Sequence, residues 1–325
     1  MACNSPEPIS PPPLEIPVID ISGYLRGEAS ATSAIVSSIA SAARAPRFFQ
    51  ITGHNVSPAL IARLLTCLAA FFALPLKTKN SIHRNKSSAL RGFEAVGEQR
   101  LEEGFSDCKE GFMVGPERSA EDARFLQGPN QWPKETEAEG LKEAVLKYFS
   151  EMRALSGTMF RLIALSLGVD EHYFDEFATS KDSIANCRAH RYPPASEEVA
   201  KNSRGIGAHT DFGALTLLLQ DKIGGLEVFH RPTQTWHPVE ALEGAFVVNV
   251  GDMLERWTNN HYASTLHRVI SPTSGQYRYS VAFFNEGLLD QVVECIPTCL
   301  KQGDIPLYEP VSVENHLRDR YGKSY

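Results

Sequence analysis

Ala245-Phe246-Val247-Val248-Asn249-Val250 is an apolar, β-branched run closed by Gly251-Asp252. Three more runs of the same texture lie in this half of the chain: Leu215–Leu219, Leu226–Phe229 and Tyr279–Phe284. They follow a change of texture after Asp182 and are separated by turn residues. Several short strands at such spacing predict a sandwich or a barrel.

Toward the N-terminus the pattern turns helical. Residues 30–45 are Ala- and Ser-rich with apolar positions at helical spacing. Ser57-Pro58 opens a helix to about Ala73, with Ser as N-cap and Pro at the first position. A long helical pattern over about 135–167 stops at Gly168. Residues 77–134 read as hairpins and long loops, where binding surfaces are often found. Ile16–Ile21 and Phe48–Ile51 read as short strands, and 313–320 as a C-terminal helix. The Pro- and Ser-rich residues 1–13 are expected to be a disordered tail. The chain thus divides into a mainly helical part, 14–180, and a β-rich part, 181–325, packed as one cooperative unit.

Composition narrows the function. The 325 residues carry a net charge of −7, which argues against a nucleic-acid backbone as partner. The longest apolar run, Leu64 to Leu76, is about a dozen residues, whereas a spanning helix needs about 20. No basic segment followed by an apolar stretch opens the sequence, so no signal peptide is expected. The six cysteines form no C-x-x-C pair and read as reduced thiols. A cytoplasmic protein is the expectation. No run marks a subunit interface.

The chemistry starts at His209-Thr210-Asp211. On a strand, positions i and i+2 share a face, so an imidazole and a carboxylate would reach one spot. With ten histidines in the chain that spacing alone is weak. His267, after a β-rich stretch, strengthens it. Two histidines and one carboxylate occupy one face of an octahedral metal and leave three positions open, the ligand set of non-haem Fe(II) oxygenases. Arg278 and Ser280 follow eleven and thirteen residues later, again i and i+2. A guanidinium beside a hydroxyl suits a carboxylate held end-on.

His209-x-Asp211, His267 and Arg278-x-Ser280 together resemble the iron(II)- and 2-oxoglutarate-dependent dioxygenases, in the branch similar to isopenicillin N synthase. The likeness covers nearly the whole chain. It includes Ile16-Pro17-Val18-Ile19-Asp20, Phe48-Phe49-Gln50-Ile51-Thr52-Gly53-His54, Phe71-Phe72-Ala73-Leu74-Pro75, Tyr192-Pro193-Pro194 and Val247-Val248-Asn249-Val250-Gly251-Asp252. Arg91-Gly92-Phe93 and Asp107-Cys108-Lys109-Glu110 are similar to segments of thymine 7-hydroxylases and of fungal polyketide-tailoring oxygenases of the citrinin and tropolone type. Arg47 and Asn55 stand where the branch usually has Gly.

The resemblance implies a mostly β core, a double-stranded β-helix or jelly roll, with a helical shell from the N-terminal half. It implies Fe(II) on His209, Asp211 and His267, with 2-oxoglutarate and O2 as cosubstrates. The distal carboxylate of 2-oxoglutarate would lie on Arg278 and Ser280. Tyr192 is either a hydrogen-bond partner of 2-oxoglutarate or substrate, or a buried structural tyrosine. The activity implied is oxidation, chiefly hydroxylation, of a C–H bond, with a methyl group of an aromatic polyketide in fungal secondary metabolism as the expected target. The alternative is a 2-oxoglutarate-independent oxidase or cyclase of the isopenicillin N synthase type. No catalytic residue beyond the metal ligands is expected. Asn249 and Asp252 read as turn-stabilising, His54 and Trp132 as structural, and Phe93, Phe112 and Trp257 as core. Lys109-Glu110 reads as a structural or pocket-rim pair, and His190 is placed two residues from Tyr192, able to face the same cavity.

Overall fold

The computed structural model describes residues 14–121 and 124–322. The expected tail, 1–13, lies outside the described residues. The strands that build the site are β1 (Val18–Asp20), β2 (Phe48–Thr52), β3 (Gly92–Glu94), β4 (Glu110–Val114), β5 (Ile184–Tyr192), β6 (Ile206–His209), β7 (Leu215–Gln220), β8 (Leu226–His230), β9 (Thr235–Pro238), β10 (Phe246–Val250), β11 (His267–Val269) and β12 (Arg278–Gly287).

Two sheets carry them. The larger runs β1-β2-β10-β7-β12-β5-β4-β3 and the smaller β6-β11-β8-β9. Residues of both sheets line one cavity, among them Thr216 and Ser280 from the larger and His209 and His267 from the smaller. The architecture is the jelly roll with a helical shell. Four strands from the first half of the chain enter the larger sheet.

Alternation along the strands explains which face does what. On β7, Leu215, Leu217 and Leu219 join the main core, while Thr216 and Leu218 line the cavity. On β12, Val281 and Phe283 point to the core, and Arg278, Ser280, Ala282, Phe284 and Glu286 line the cavity. Phe283 meets Phe149 of the long helix Leu141–Ser166 edge-on, with ring centres 5.3 Å apart. That helix packs against the sheet on one side and against helices Ala29–Arg44 and Pro58–Ala73 on the other. Helix Pro58–Ala73 buries Leu64, Leu68, Phe71 and Phe72, the stripe expected of a 3.6-residue period.

Boundaries differ from expectation in identifiable ways. Ser57 makes no side-chain cap, so the helix start is set by Pro58, whose fixed φ suits the first position. The long helix begins at Leu141 rather than near 135, because Gly140 takes φ 70° and breaks the run. It ends where expected, with Gly168 at φ 70°. Arg47 and Asn55 have φ 75° and 61°, so both occupy left-handed backbone at places where glycine would be unstrained. No helix of the described residues is long and apolar enough to cross a membrane.

Candidate metal centre

His209 ends β6 and His267 begins β11, and the two are directly paired across the antiparallel ladder. Their rings lie 4.3 Å apart, centre to centre. Asp211 reaches the same spot by a route other than the expected one. β6 stops at His209, so Asp211 sits in the turn beyond it. Its carbonyl accepts the backbone N–H of Asp252 at 2.8 Å, which pins that turn against the end of β10.

The donor atoms of His209, Asp211 and His267 lie within 4.8 Å of one another. Asp211 Oδ1 is 3.7 Å from His209 Nε2 and 3.6 Å from His267 Nε2. What surrounds these atoms fixes their orientation. His209 Nδ1 faces the Gly207 carbonyl at 2.8 Å, and His267 Nδ1 faces the Thr265 carbonyl at 3.0 Å. A carbonyl only accepts, so each Nδ1 carries the proton and each Nε2 turns a lone pair to the centre. Asp211 Oδ2 accepts from Thr216 Oγ1 at 2.6 Å and Asn249 Nδ2 at 2.7 Å, leaving Oδ1 for the centre.

The charges agree with this arrangement. Burial, then His267, lowers the His209 pKa to about 4, so its imidazole is neutral near pH 7. Burial alone would raise Asp211, but the two histidines and the Asn249 and Thr216 hydrogen bonds outweigh it and hold the carboxyl below its ordinary value. Two imidazoles turning Nε2 inward and one carboxylate, mutually oriented and with open space beside them, fit a divalent transition metal.

Thr216 and Asn249 are functional positions that the sequence reading missed. Asn249 supports the Asp211 side chain rather than backbone groups at a turn, because β10 pairs with β7 and sets Asn249 opposite Thr216. Each interrupts an otherwise apolar run, and a buried polar residue in such a run must find a partner.

A cavity of about 100 Å³ opens beside the triad. At one end lies Arg278, wholly buried. Its Nε donates to the Gly224 carbonyl and its Nη2 to Gln220 Oε1 at 3.3 Å, while Nη1 has no partner. Ser280 Oγ lies 3.1 Å from the Tyr192 hydroxyl, and the guanidinium sits 4.6 Å over the Tyr192 ring. Arg278, Ser280 and Tyr192 are therefore one cluster, as expected. His190 also lines the cavity, and burial drives its pKa well below the usual value, so the ring is neutral.

Other candidates stand elsewhere. Lys109 and Glu110 do not pair with each other. Lys109 meets Glu94 at 2.6 Å, and Glu110 meets Lys79 at 2.5 Å and Arg191. Glu94 also binds Arg84 and Arg188, and through Arg188 this network reaches the cavity wall. Phe93, Phe112 and Trp257 are core, Trp132 packs on Phe112, and His54 bonds the Gly244 carbonyl at 2.7 Å. Asp252 accepts from Thr210 and Ser264 and pairs with Arg320 at 2.7 Å.

Residues 182–287 match the 2OG-Fe(II) oxygenase superfamily, and residues 16–135 match the non-haem dioxygenase in morphine synthesis N-terminal family. A 2-oxoglutarate-Fe(II) type oxidoreductase of Emericella nidulans is 38% identical over 96% of this chain and 91% of its own length. The chain belongs to the 2-oxoglutarate/Fe(II) oxygenases. Clavatol oxidase of Penicillium crustosum is 35% identical over 98% of both chains. The crystal structure of the full-length Neurospora crassa thymine 7-hydroxylase in complex with alpha-KG superimposes with a TM-score of 0.87, at 29% identity, over 97% of this chain and 98% of that one. The oxygenase is an oxidoreductase that uses Fe(II), 2-oxoglutarate and O2. The 2-oxoglutarate-independent alternative is not carried by these relatives.

Proposed function

We propose that His209, Asp211 and His267 hold Fe(II), and that Arg278 and Ser280, with Tyr192 beside them, anchor the distal carboxylate of 2-oxoglutarate. The observation that carries this reading is the buried Arg278, whose Nη1 has no partner and which lies on the wall of the same cavity as the triad. A buried guanidinium without a carboxylate is costly, and a bound dicarboxylate would supply one. When bound, Fe(II) with 2-oxoglutarate supplies O2 activation coupled to oxidative decarboxylation to succinate and CO2.

The chain's own residues do the rest. Thr216 and Asn249 keep Asp211 presenting a single oxygen. Gly207 and Thr265 hold the two imidazoles in the liganding tautomer. The apolar wall, including Phe48, Leu218 and Ala282, excludes bulk water from the reacting centre. The substrate is a small, partly apolar molecule, read as an aromatic polyketide hydroxylated at a methyl group. The kinship with fungal enzymes such as clavatol oxidase supports that reading. The two parts, 14–180 and 181–325, act as one folding unit, and the working compartment is the cytoplasm.

The test is an anaerobic titration of the Fe(II)-loaded protein with 2-oxoglutarate. A visible metal-to-ligand charge-transfer band is expected. Its absence in protein shown to contain iron would overturn the anchor assignment.

A further inference from the structure

The register of the strands divides the cavity in two. β12 and β5 run antiparallel, with Arg278 opposite Tyr192, Ser280 opposite His190, Ala282 opposite Arg188 and Phe284 opposite Asn186. β7 lies on the other side of β12, with Ser280 opposite Gln220 and Phe284 opposite Thr216. Thr216 bonds Asp211, so the triad stands at the level of Phe284. Arg278 and Ser280 lie to one side of that level, and 2-oxoglutarate must stretch toward them. The other side is left for the substrate.

Two buried polar groups in that second half each keep one atom without a hydrogen-bond partner. Glu286, the next cavity-facing residue on β12, is 3% exposed and Asn186 is 1% exposed. Glu286 Oε1 accepts from the Tyr321 hydroxyl at 3.2 Å, while Oε2 has no partner. Asn186 Oδ1 accepts from Arg91, while Nδ2 has no partner. Glu286 is beside the turn that carries Asp211: a Cβ added at Gly213 would lie 3.1 Å from Glu286 Cγ. Arg91 spends its hydrogen bonds on Asn186 and the Leu126 carbonyl and reaches Glu286 only through its charge, which leaves Oε2 unpartnered. Leaving such groups unsatisfied costs about 1–3 kcal/mol each. They persist where something else completes them.

We propose that Glu286 and Asn186 form a hydroxyl-binding pair, and that the substrate is a compact aromatic carrying a phenolic hydroxyl. One hydroxyl satisfies both groups. Its O–H donates to Glu286 Oε2 and its lone pair accepts from Asn186 Nδ2. Phe212, Phe284 and Tyr321 supply ring faces and edges around it, with Phe212 and Tyr321 edge-on at 5.4 Å. Burial lifts the Glu286 carboxyl to about 7 against the opposing pull of Asn186, Tyr321 and Arg91. A hydroxyl, both donor and acceptor, matches either protonation state.

This inference rests on the triad and Arg278 reading, and its test separates the two. The anaerobic enzyme with Fe(II) and 2-oxoglutarate is first shown to have its visible band; no band overturns the reading beneath. Calorimetric titration with p-cresol and with 4-methylanisole then follows. The ether accepts but cannot donate, so p-cresol is expected to bind about tenfold tighter or better. Glu286→Leu should remove most of that preference and Asn186→Ala should weaken both probes about tenfold, while in each variant 2-oxoglutarate titrates the band within about twofold of wild type. Glu286→Gln, which keeps an accepting oxygen, should restore the preference. Equal binding of the two probes by wild type overturns the inference. So does unchanged affinity for both probes in Asn186→Ala, which tests the pair even where Glu286→Leu does not fold.

Discussion

The triad and the wall made by β5 and β12 are finished to different degrees. Around His209, Asp211 and His267, the side-chain atoms turned away from the centre have partners: Gly207, Thr265, Thr216 and Asn249. Along β5 and β12, Arg278 Nη1, His190 Nε2, Asn186 Nδ2 and Glu286 Oε2 are buried and unpartnered. The triad comes from short strands and a turn, so hydrogen bonds must supply the stiffness. The wall comes from strands of nine and ten residues that are stiff already. It can therefore keep open valences for molecules that come and go. Completed polar groups mark what must hold still, and incomplete ones mark where ligands belong.

The most severe way to break this contrast is Asp211→Ala. It should abolish 2-oxoglutarate-dependent succinate release while circular dichroism stays native. Activity retained by well-metallated variant protein would sink the triad assignment.

Next comes the cost of an incomplete group. Glu286 holds its proton up to about 7 in the folded chain, against an ordinary 4.5. Between those values the folded protein keeps a proton that the unfolded chain has released. The contribution is present below pH 4.5 and lost as pH rises through 7. Relative to Glu286→Gln, wild-type metal-free protein should lose about 3 kcal/mol of stability over that window. Parallel curves in denaturant melts at about pH 5 and about pH 7.5 would refute it.

A pair of variants should then separate the two regions. Arg278→Ala should raise the 2-oxoglutarate requirement by a factor on the order of 10 to 100. Its Fe(II) affinity should stay near wild type. Asn249→Ala should weaken Fe(II) binding by a factor on the order of 10 to 100 through the freed Asp211 oxygen. Equilibrium dialysis measures the metal and the visible band measures the keto acid. If both variants moved both quantities alike, the division would collapse.

The smallest effect is a control away from the cavity. Arg47→Gly relieves a left-handed φ but adds unfolded-state freedom, so a net stabilisation of about 0.5–1 kcal/mol is expected. A destabilised variant would show that the Arg47 side chain matters more than its backbone.

Much of this was legible because residue type alone narrows the chemistry. His209, Asp211, His267, Arg278 and Ser280 were readable from identity and order; the short runs around them predicted a sandwich or barrel, and the family resemblance narrowed that to a jelly roll. Asn249 and Thr216 were not, because their meaning comes from β10 lying against β7, a pairing between distant segments. Asp211 was expected on a strand, but β6 ends before it, since its backbone carbonyl serves Asp252. Asn186 gained significance only from the β5–β12 register, and Glu286 from its place on the cavity wall beside the Asp211 turn. Strand order is a tertiary fact, and a pattern of local runs does not contain it.

From Arg278 to Phe284, β12 sets its cavity-facing side chains at every second residue, about 6.5–7 Å apart along a nearly inextensible line, and a shift of register at Glu286 sets the last step. The strand is in effect a ruler with its zero at Arg278. A molecule hung from the 286 mark offers the reacting centre whichever carbon lies at the matching distance. The position oxidised is then a matter of length more than of intrinsic C–H reactivity. Lengthening the substrate by one bond would move the new oxygen one carbon along.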